Sequence, residues 1–276
     1  MEYQKRLIKY SSGFVEVSSV PIPDLVFFKN ARNKKTPEEC EENNLYQSSR
    51  SLQKLFLNNF ATNSFSVVLT FSNEALATLR EKVSVPEGYR SKSAQKKYVQ
   101  KKLPAVALTE ARNLVRRLSY LQSRNDLRYV MVVSNKKAYN DKTTRPVRLH
   151  VHLILHSSDL IRKGNKLLLG ETPIEKLWRN GTIRMKELYH PSYGSKDFSY
   201  LARYLVRQSA FRYEKHKKKY ISSVNAVMPE ERKLSREQWN LLLMELESYQ
   251  LVSENKNSYN SDIYRKLFRP PDDNCD

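Results

Sequence analysis

The chain has 276 residues, 39% of them hydrophobic, which is enough for a packed globular core in one large domain or two modest ones. Forty-nine Lys and Arg against 29 Asp and Glu give a net charge of +20 and a pI of about 9.8. That excess points to a polyanionic partner, nucleic acid rather than membrane, since no long basic amphipathic helix stands out. No apolar run approaches the ~20 residues of a membrane span. The opening MEYQKRLIKY has no signal-peptide core, and two lone cysteines, Cys40 and Cys275, suit a reducing compartment, so the expected location is the cytoplasm.

Residues 1–60 mix short apolar patches with charged turns and show no clear periodicity; they read as an N-terminal arm or extension. Ser64–Phe71 is β-branched and aromatic between polar flanks, the pattern of a buried strand. From about 81 to 104 the pattern breaks into Pro, Gly, Ser and bases, and reads as a basic insertion in which Lys96 and Lys97 are candidate phosphate contacts. Leu108, Leu114, Val115, Leu118 and Leu121 have helical spacing, with Thr109 as the expected cap. Tyr129–Val133 is a second strand, and a polar stretch links it to Arg148–His156, which suggests an antiparallel pair. Thr172 and Pro173 open a short helix, and residues 181–188 alternate as a half-exposed strand. Residues 197–209 form a helix in which Tyr200 and Tyr204, four apart, share a face. Arg212, Lys215, Lys217, Lys218 and Lys219 are the densest basic cluster, residues 235–249 read as a capped helix, and the remainder as a frayed tail.

The histidine strand is where function is to be sought. The chain has five histidines, and three of them, His150, His152 and His156, fall within seven residues of an apolar strand. Period two puts His150 and His152 on one face, about 6.6 Å apart along the strand, so that both imidazoles can converge on one cation. His156 lies about 13 Å beyond His152 and is left out. A structural zinc is disfavoured because no Cys-x-x-Cys is present. A metal on two histidines, a tyrosine pair and a basic surface together fit phosphoryl transfer at a nucleic-acid backbone, with tyrosine as nucleophile.

At this point the chain resembles the HUH endonucleases, named for two histidines flanking a hydrophobic residue. Within them it is most similar to the rolling-circle replication initiators of small single-stranded DNA phages, of the microvirus and filamentous-phage gene II types, and to related plasmid proteins. Val67–Thr70 resembles the first core strand, His150-Val-His152 the metal motif, Trp178-Arg-Asn-Gly181 a phage element, and Tyr200-Leu-Ala-Arg-Tyr204 the nucleophile motif. The resemblance covers about residues 64–225 and implies an α+β fold, a central antiparallel sheet flanked by helices, RRM- or palm-like. It places an endonuclease domain at 61–225 and a C-terminal helix and tail at 226–276. The implied activity is nicking of single-stranded DNA at an origin through a 5′-phosphotyrosine, followed by rejoining.

Tyr200 and Tyr204 would then be alternating nucleophiles and His150 and His152 the ligands of Mg²⁺ or Mn²⁺. Arg203 stands where many relatives have lysine, and takes the role of a phosphate clamp. Relatives often draw a third ligand, commonly Glu, from the preceding strand, and here no acid lies between Asp126 and Asp141. Asn135, Ser134 and Asp141 are the alternatives, with waters and phosphate completing the shell. Arg148 and Arg207 join the basic cluster as DNA contacts. The expected partners are origin single strands, with a host helicase and polymerase as further candidates. The competing readings are an HUH transposase or relaxase, a zinc hydrolase using water, and a non-catalytic nucleic-acid-binding protein.

Overall fold

The computed structural model describes residues 3–21, 36–60, 63–135, 148–188, 197–211, 217–257 and 260–270. The N-terminal part forms strands β1 (Tyr3–Lys9) and β2 (Val15–Pro21), then helix α1 (Pro37–Asn59). Next come β3 (Ser64–Thr70), α2 (Asn73–Glu81), α3 (Lys92–Leu121), β4 (Arg128–Ser134) and β5 (His150–His156). A small meander, β6 (Leu160–Lys163), β7 (Lys166–Leu169) and β8 (Thr172–Pro173), leads to α4 (Ile174–Leu177), β9 (Ile183–Glu187) and α5 (Ser199–Gln208). Then follow β10 (Ile221–Ser222), β11 (Glu231–Leu234), α6 (Arg236–Glu245), β12 (Gln250–Asn257) and β13 (Asn260–Arg269).

The central sheet is antiparallel in the order β10-β4-β5-β3-β9, so the fold is α+β as expected. The histidine strand is flanked on both sides. Alternation decides what each face carries. Val67, Leu69, Met131, Val133, Val151, Leu153 and Leu155 point to one side, where they are buried with Ala107, Ala111, Leu114 and Leu118 of α3. Val130, Val132 and Ile154 point to the other, where α1 supplies Leu52, Leu55 and Phe56 and α5 supplies Ala202, Leu205 and Val206. The histidines share this second face.

A second antiparallel sheet, β11-β1-β2-β13-β12, joins the two ends of the chain and packs Leu7, Val15 and Val17 against Trp239, Leu242 and Leu246. Glu16 of β2 is buried, with ion pairs to Arg50 of α1 at 2.8 Å and Arg265 of β13 at 3.0 Å, and it accepts a hydrogen bond from Tyr10.

Several local expectations are corrected. Residues 3–21 and 37–59 are a hairpin and a long helix; Leu45, Leu52 and Phe56 carry the helical spacing but are diluted by Glu, Asn and Ser on the exposed faces. The Thr36–Glu39 capping box with Pro37 behind it was the legible signal. The basic run does not stay irregular: from Lys92 it is helix, capped by Ser91, and Thr109 instead donates its hydroxyl to the Ala105 carbonyl inside that helix. Lys and Gln form helix readily, and residues 92–102 contribute no apolar stripe except at the edges because they overhang the core. Thr172 caps nothing: α4 starts from Pro173 with no side-chain cap. The tail is not frayed from residue 250, because β12 and β13 pair with each other and β13 with β2.

Candidate metal centre and tyrosine helix

The Nε2 atoms of His150 and His152 lie 3.1 Å apart, with ring centroids 4.8 Å apart and planes at 77°. His150 Nδ1 is 2.8 Å from the Arg148 carbonyl, which can only accept, so that nitrogen carries the proton and Nε2 presents its lone pair. Burial pushes both imidazoles down. His152, with the neighbouring His150 adding to the effect, falls to about 3, so both rings are neutral at physiological pH. Two nitrogens at about 2.1 Å from one ion, subtending roughly a right angle, are separated by about 3 Å. The pair therefore fits a shared cation. Among the described residues no third His, Cys, Asp or Glu completes a cluster with it.

Helix α5 lies over this face. The Tyr204 ring meets His152 edge to face, with centroids 5.6 Å apart. Tyr204 is half-buried and its phenol is pushed above the usual range by desolvation and then by Tyr200, whereas Tyr200, one turn earlier, is 68% exposed. Both ends of the helix are fixed. At its start Phe198 has φ 57°, left-handed for a residue with a side chain, and is held by its contact with Phe56 and by Gln53 donating to the Asp197 carbonyl at 2.8 Å. Asp197 in turn accepts from the Ser199 amide and hydroxyl. At its end Ala210 N–H donates to the Val133 carbonyl and Ser209 bridges Ser134.

Gln208 was missed in the sequence. It follows Tyr200 and Tyr204 at the same spacing of four, is buried, and accepts a hydrogen bond from Ser134 Oγ at 3.2 Å. Ser134 stands directly across from His150 in the sheet, which brings the Gln208 carboxamide, bonded to Ser134, to the histidine end of the sheet. A search confined to acids on the preceding strand passes over it; a polar residue on the buried side of an amphipathic helix was the available signal. Asn135, half-buried, follows Ser134 at the end of β4, and Asp141 lies outside the described residues.

The arginines separate from the tyrosines. Arg203 lines a groove between α5 and α1 with Tyr46, Ser199 and Arg207, and Arg207 pairs with Glu42 at 3.1 Å. Arg148 is exposed and enters the site through its carbonyl. Lys217, Lys218 and Lys219 line an open cleft against Ser48 and Ser51 of α1; Arg212 and Lys215 lie outside the described residues. Lys96 and Lys97 belong to α3, which packs on the opposite face of the sheet from the histidines. Sequence reasoning also passed over Arg184 and Lys186. They are exposed on β9 opposite Val68 and Ser66, the histidine-face residues of β3, and the alternation of 181–188 was the signal.

The Trp178-Arg-Asn-Gly181 element locks this end of the sheet. Trp178 Nε1 donates to the Thr70 carbonyl at 2.9 Å, Ser72 N–H donates to the Asn180 carbonyl, and Thr70 faces His150 across the ladder. Gly181 passes so close that a Cβ would stand 2.3 Å from the Thr70 carbonyl oxygen.

No family model, no curated protein and no solved structure matches this chain.

Proposed function

We propose that the protein is a replication-initiator endonuclease of the HUH type, which nicks single-stranded DNA at an origin through a 5′-phosphotyrosine and rejoins it during rolling-circle replication. The observation that carries this reading is the pair of neutral imidazole nitrogens 3.1 Å apart with a tyrosine ring against one of them. Tyr204 is the first nucleophile. Its oxygen attacks the scissile phosphorus, the bond from phosphorus to the 3′ oxygen breaks, and that oxygen takes up a proton as a 3′-hydroxyl while the phenol loses its own. The exposed Tyr200 takes the second transfer: its oxygen displaces a new 3′-hydroxyl, and that hydroxyl attacks the Tyr204 ester, which joins the strand while the Tyr204 oxygen leaves and takes up a proton as the free phenol.

Mg²⁺ or Mn²⁺, held by His150 and His152 with an oxygen from Gln208 or Asn135, would draw charge from the phosphate when bound. The raised Tyr204 phenol keeps its proton until a phosphate and counter-charge are in place, which restrains idle chemistry. Arg184 and Lys186 extend the strand's path across the open sheet, and Arg203 and Arg207, in the groove with α1, meet the strand away from the cut. No described helix is long and apolar enough to cross a membrane, and the proposed setting is the cytoplasm of a host cell, with helicase and polymerase as further partners.

The test is incubation with labelled circular single-stranded DNA and Mn²⁺, followed by a denaturing gel. A labelled adduct on the protein, absent with chelator, in His152→Ala and in Tyr204→Phe, is the expected result. An adduct only on linear conjugative or transposon-end sequences would shift the assignment to a relaxase or transposase. Undiminished DNA binding by every variant, with no adduct on any sequence, would leave a non-catalytic binding protein.

A further inference from the structure

Residues 88–109 contain no acid and six bases, and of these Lys92, Lys96, Lys97, Lys101 and Lys102 lie on the first three turns of α3. All five are exposed, while burial in the core begins at Leu103. This overhang is about 16 Å long. Its direction follows from the far end of α3: just past Leu121, Ser123 donates its amide and hydroxyl to Asp159, which follows His156, and β4 then starts with Arg128 opposite His156. The helix thus runs toward the His156 end of the sheet, and its first turns point the other way, past the end where Thr70 and Ser134 flank His150. The arm therefore projects beyond the end of the sheet that carries the histidine pair.

The placement of charge on the arm is specific. At 100° per residue, Lys92 and Lys96 form one stripe and Lys97 and Lys101 a second, about 140° away. Ser93 and Gln100, both exposed, lie between the stripes. On the reverse side the Tyr98 ring lies tilted against Tyr89 with centroids 4.7 Å apart and carries Lys102 at 5.6 Å from its ring, which fixes the arm's back against its own loop. Like charges four apart destabilise a helix, so the pattern does not serve the fold. A helix resting on one flat polyanion needs one stripe. Two stripes flanking a polar ridge match a groove with a phosphate backbone on each wall, and the major groove of a DNA duplex admits one helix.

We propose that the first three turns of α3 are a duplex-binding arm, which lies in the major groove of double-stranded or hairpin DNA next to the strand held at the histidines. Lys92, Lys96, Lys97 and Lys101 contact the two backbones, and Ser93 and Gln100 face the base edges. The inference rests on the proposed function for its choice of DNA, but the binding it describes requires no chemistry.

Its test uses the full chain, with Lys92, Lys96, Lys97 and Lys101 changed together to Gln, and a fluorescent hairpin duplex with a single-stranded tail. Expected are an affinity for the duplex at least tenfold weaker at moderate salt, a log–log salt slope smaller by about 3.6, and a smaller loss of affinity for unstructured single strands. A raised melting temperature, from removal of like charges, shows that the variant folds. Unchanged duplex affinity and salt slope overturn the proposal, as does loss confined to vesicles of anionic lipid. Should no adduct form with any variant, the His152→Ala protein still reports duplex binding, so the arm and the nuclease reading fail separately.

Discussion

Strand β5 begins and ends on histidine, and its two ends have been put to different uses. At one end His150 and His152 turn ring nitrogens toward each other, kept neutral by burial, beneath a tyrosine. At the other, His156 Nδ1 meets Ser64 Oγ at 3.2 Å and the ring stands against Phe60. Around it Asp126 takes the Ser157 hydroxyl at 2.6 Å and the Ser158 amide at 2.8 Å, and Asn63 donates to the Ser157 carbonyl. Residue type and strand parity are the same at both ends; what differs is where the ring nitrogens find their partners. At His156 the partner comes from a neighbouring strand and cross-links the fold, whereas the Nε2 atoms of His150 and His152 face each other and can turn together to a shared ligand.

The largest effect that would break this contrast is on activity. His152→Ala should lower adduct formation more than about 100-fold, whereas His156→Ala should stay within about twofold and lose melting temperature instead. Equal loss in both would erase the distinction. Gln208→Ala should raise the Mn²⁺ concentration for half-maximal adduct formation by about tenfold, and Gln208→Glu should restore it; failure of the carboxylate to rescue would return Gln208 to a purely structural role toward Ser134.

The two ends should also part company in acid. His150 and His152 bind protons less readily in the fold than in the unfolded chain, whose imidazoles titrate near pH ~6.5. Stability of the metal-free protein should therefore fall as pH drops below that value toward about 3, and His152→Ala should flatten this limb in urea titrations. Burial works against the Asp126 carboxylate, yet hydrogen bonds from Ser157 and Ser158 hold it down at about 2. Its contribution is complete above the unfolded carboxylate range and is lost as pH falls through about 2, so Asp126→Asn should lower the plateau at higher pH and flatten only the more acid limb. At neutral pH the same substitution should remove about 1–2 kcal/mol. Ser64→Ala, which deletes one partner of His156, should remove about 0.5–1 kcal/mol and is the smallest change expected.

The elements that hold the candidate site were legible because each carries its own local pattern. Ser64–Thr70 and Arg128–Ser134 are short apolar runs between polar turns, His150–His156 alternates, and Tyr200 with Tyr204 marks a helix face. What escaped was of two kinds. Gln208 is ordinary in sequence and becomes distinctive only when the end of α5 is pinned to β4, which sets its carboxamide beside Ser134. The terminal sheet escaped because its edges are matched across the whole chain: no residue near Val15–Pro21 announces that Asn260–Arg269 will lie beside it. Arg203 shows the reverse case, a residue whose motif position pointed to the tyrosines and whose side chain lines the groove with α1.

That terminal sheet bears on how the protein is made. Ser19 of β2 pairs with Tyr264 of β13, and the buried Glu16 is matched by Arg265 as well as Arg50, so a segment synthesised early waits for one synthesised much later. Until then β2 has an open edge and Glu16 lacks one of its two counter-charges. Through Arg50 and its neighbour Gln53, which holds the Asp197 carbonyl, the same helix steadies the start of the tyrosine helix. Synthesis of β13 and consolidation of the tyrosine helix are thereby coupled, and a nascent chain that has not yet reached residue 260 exposes a sticky strand edge before it can present a well-ordered α5.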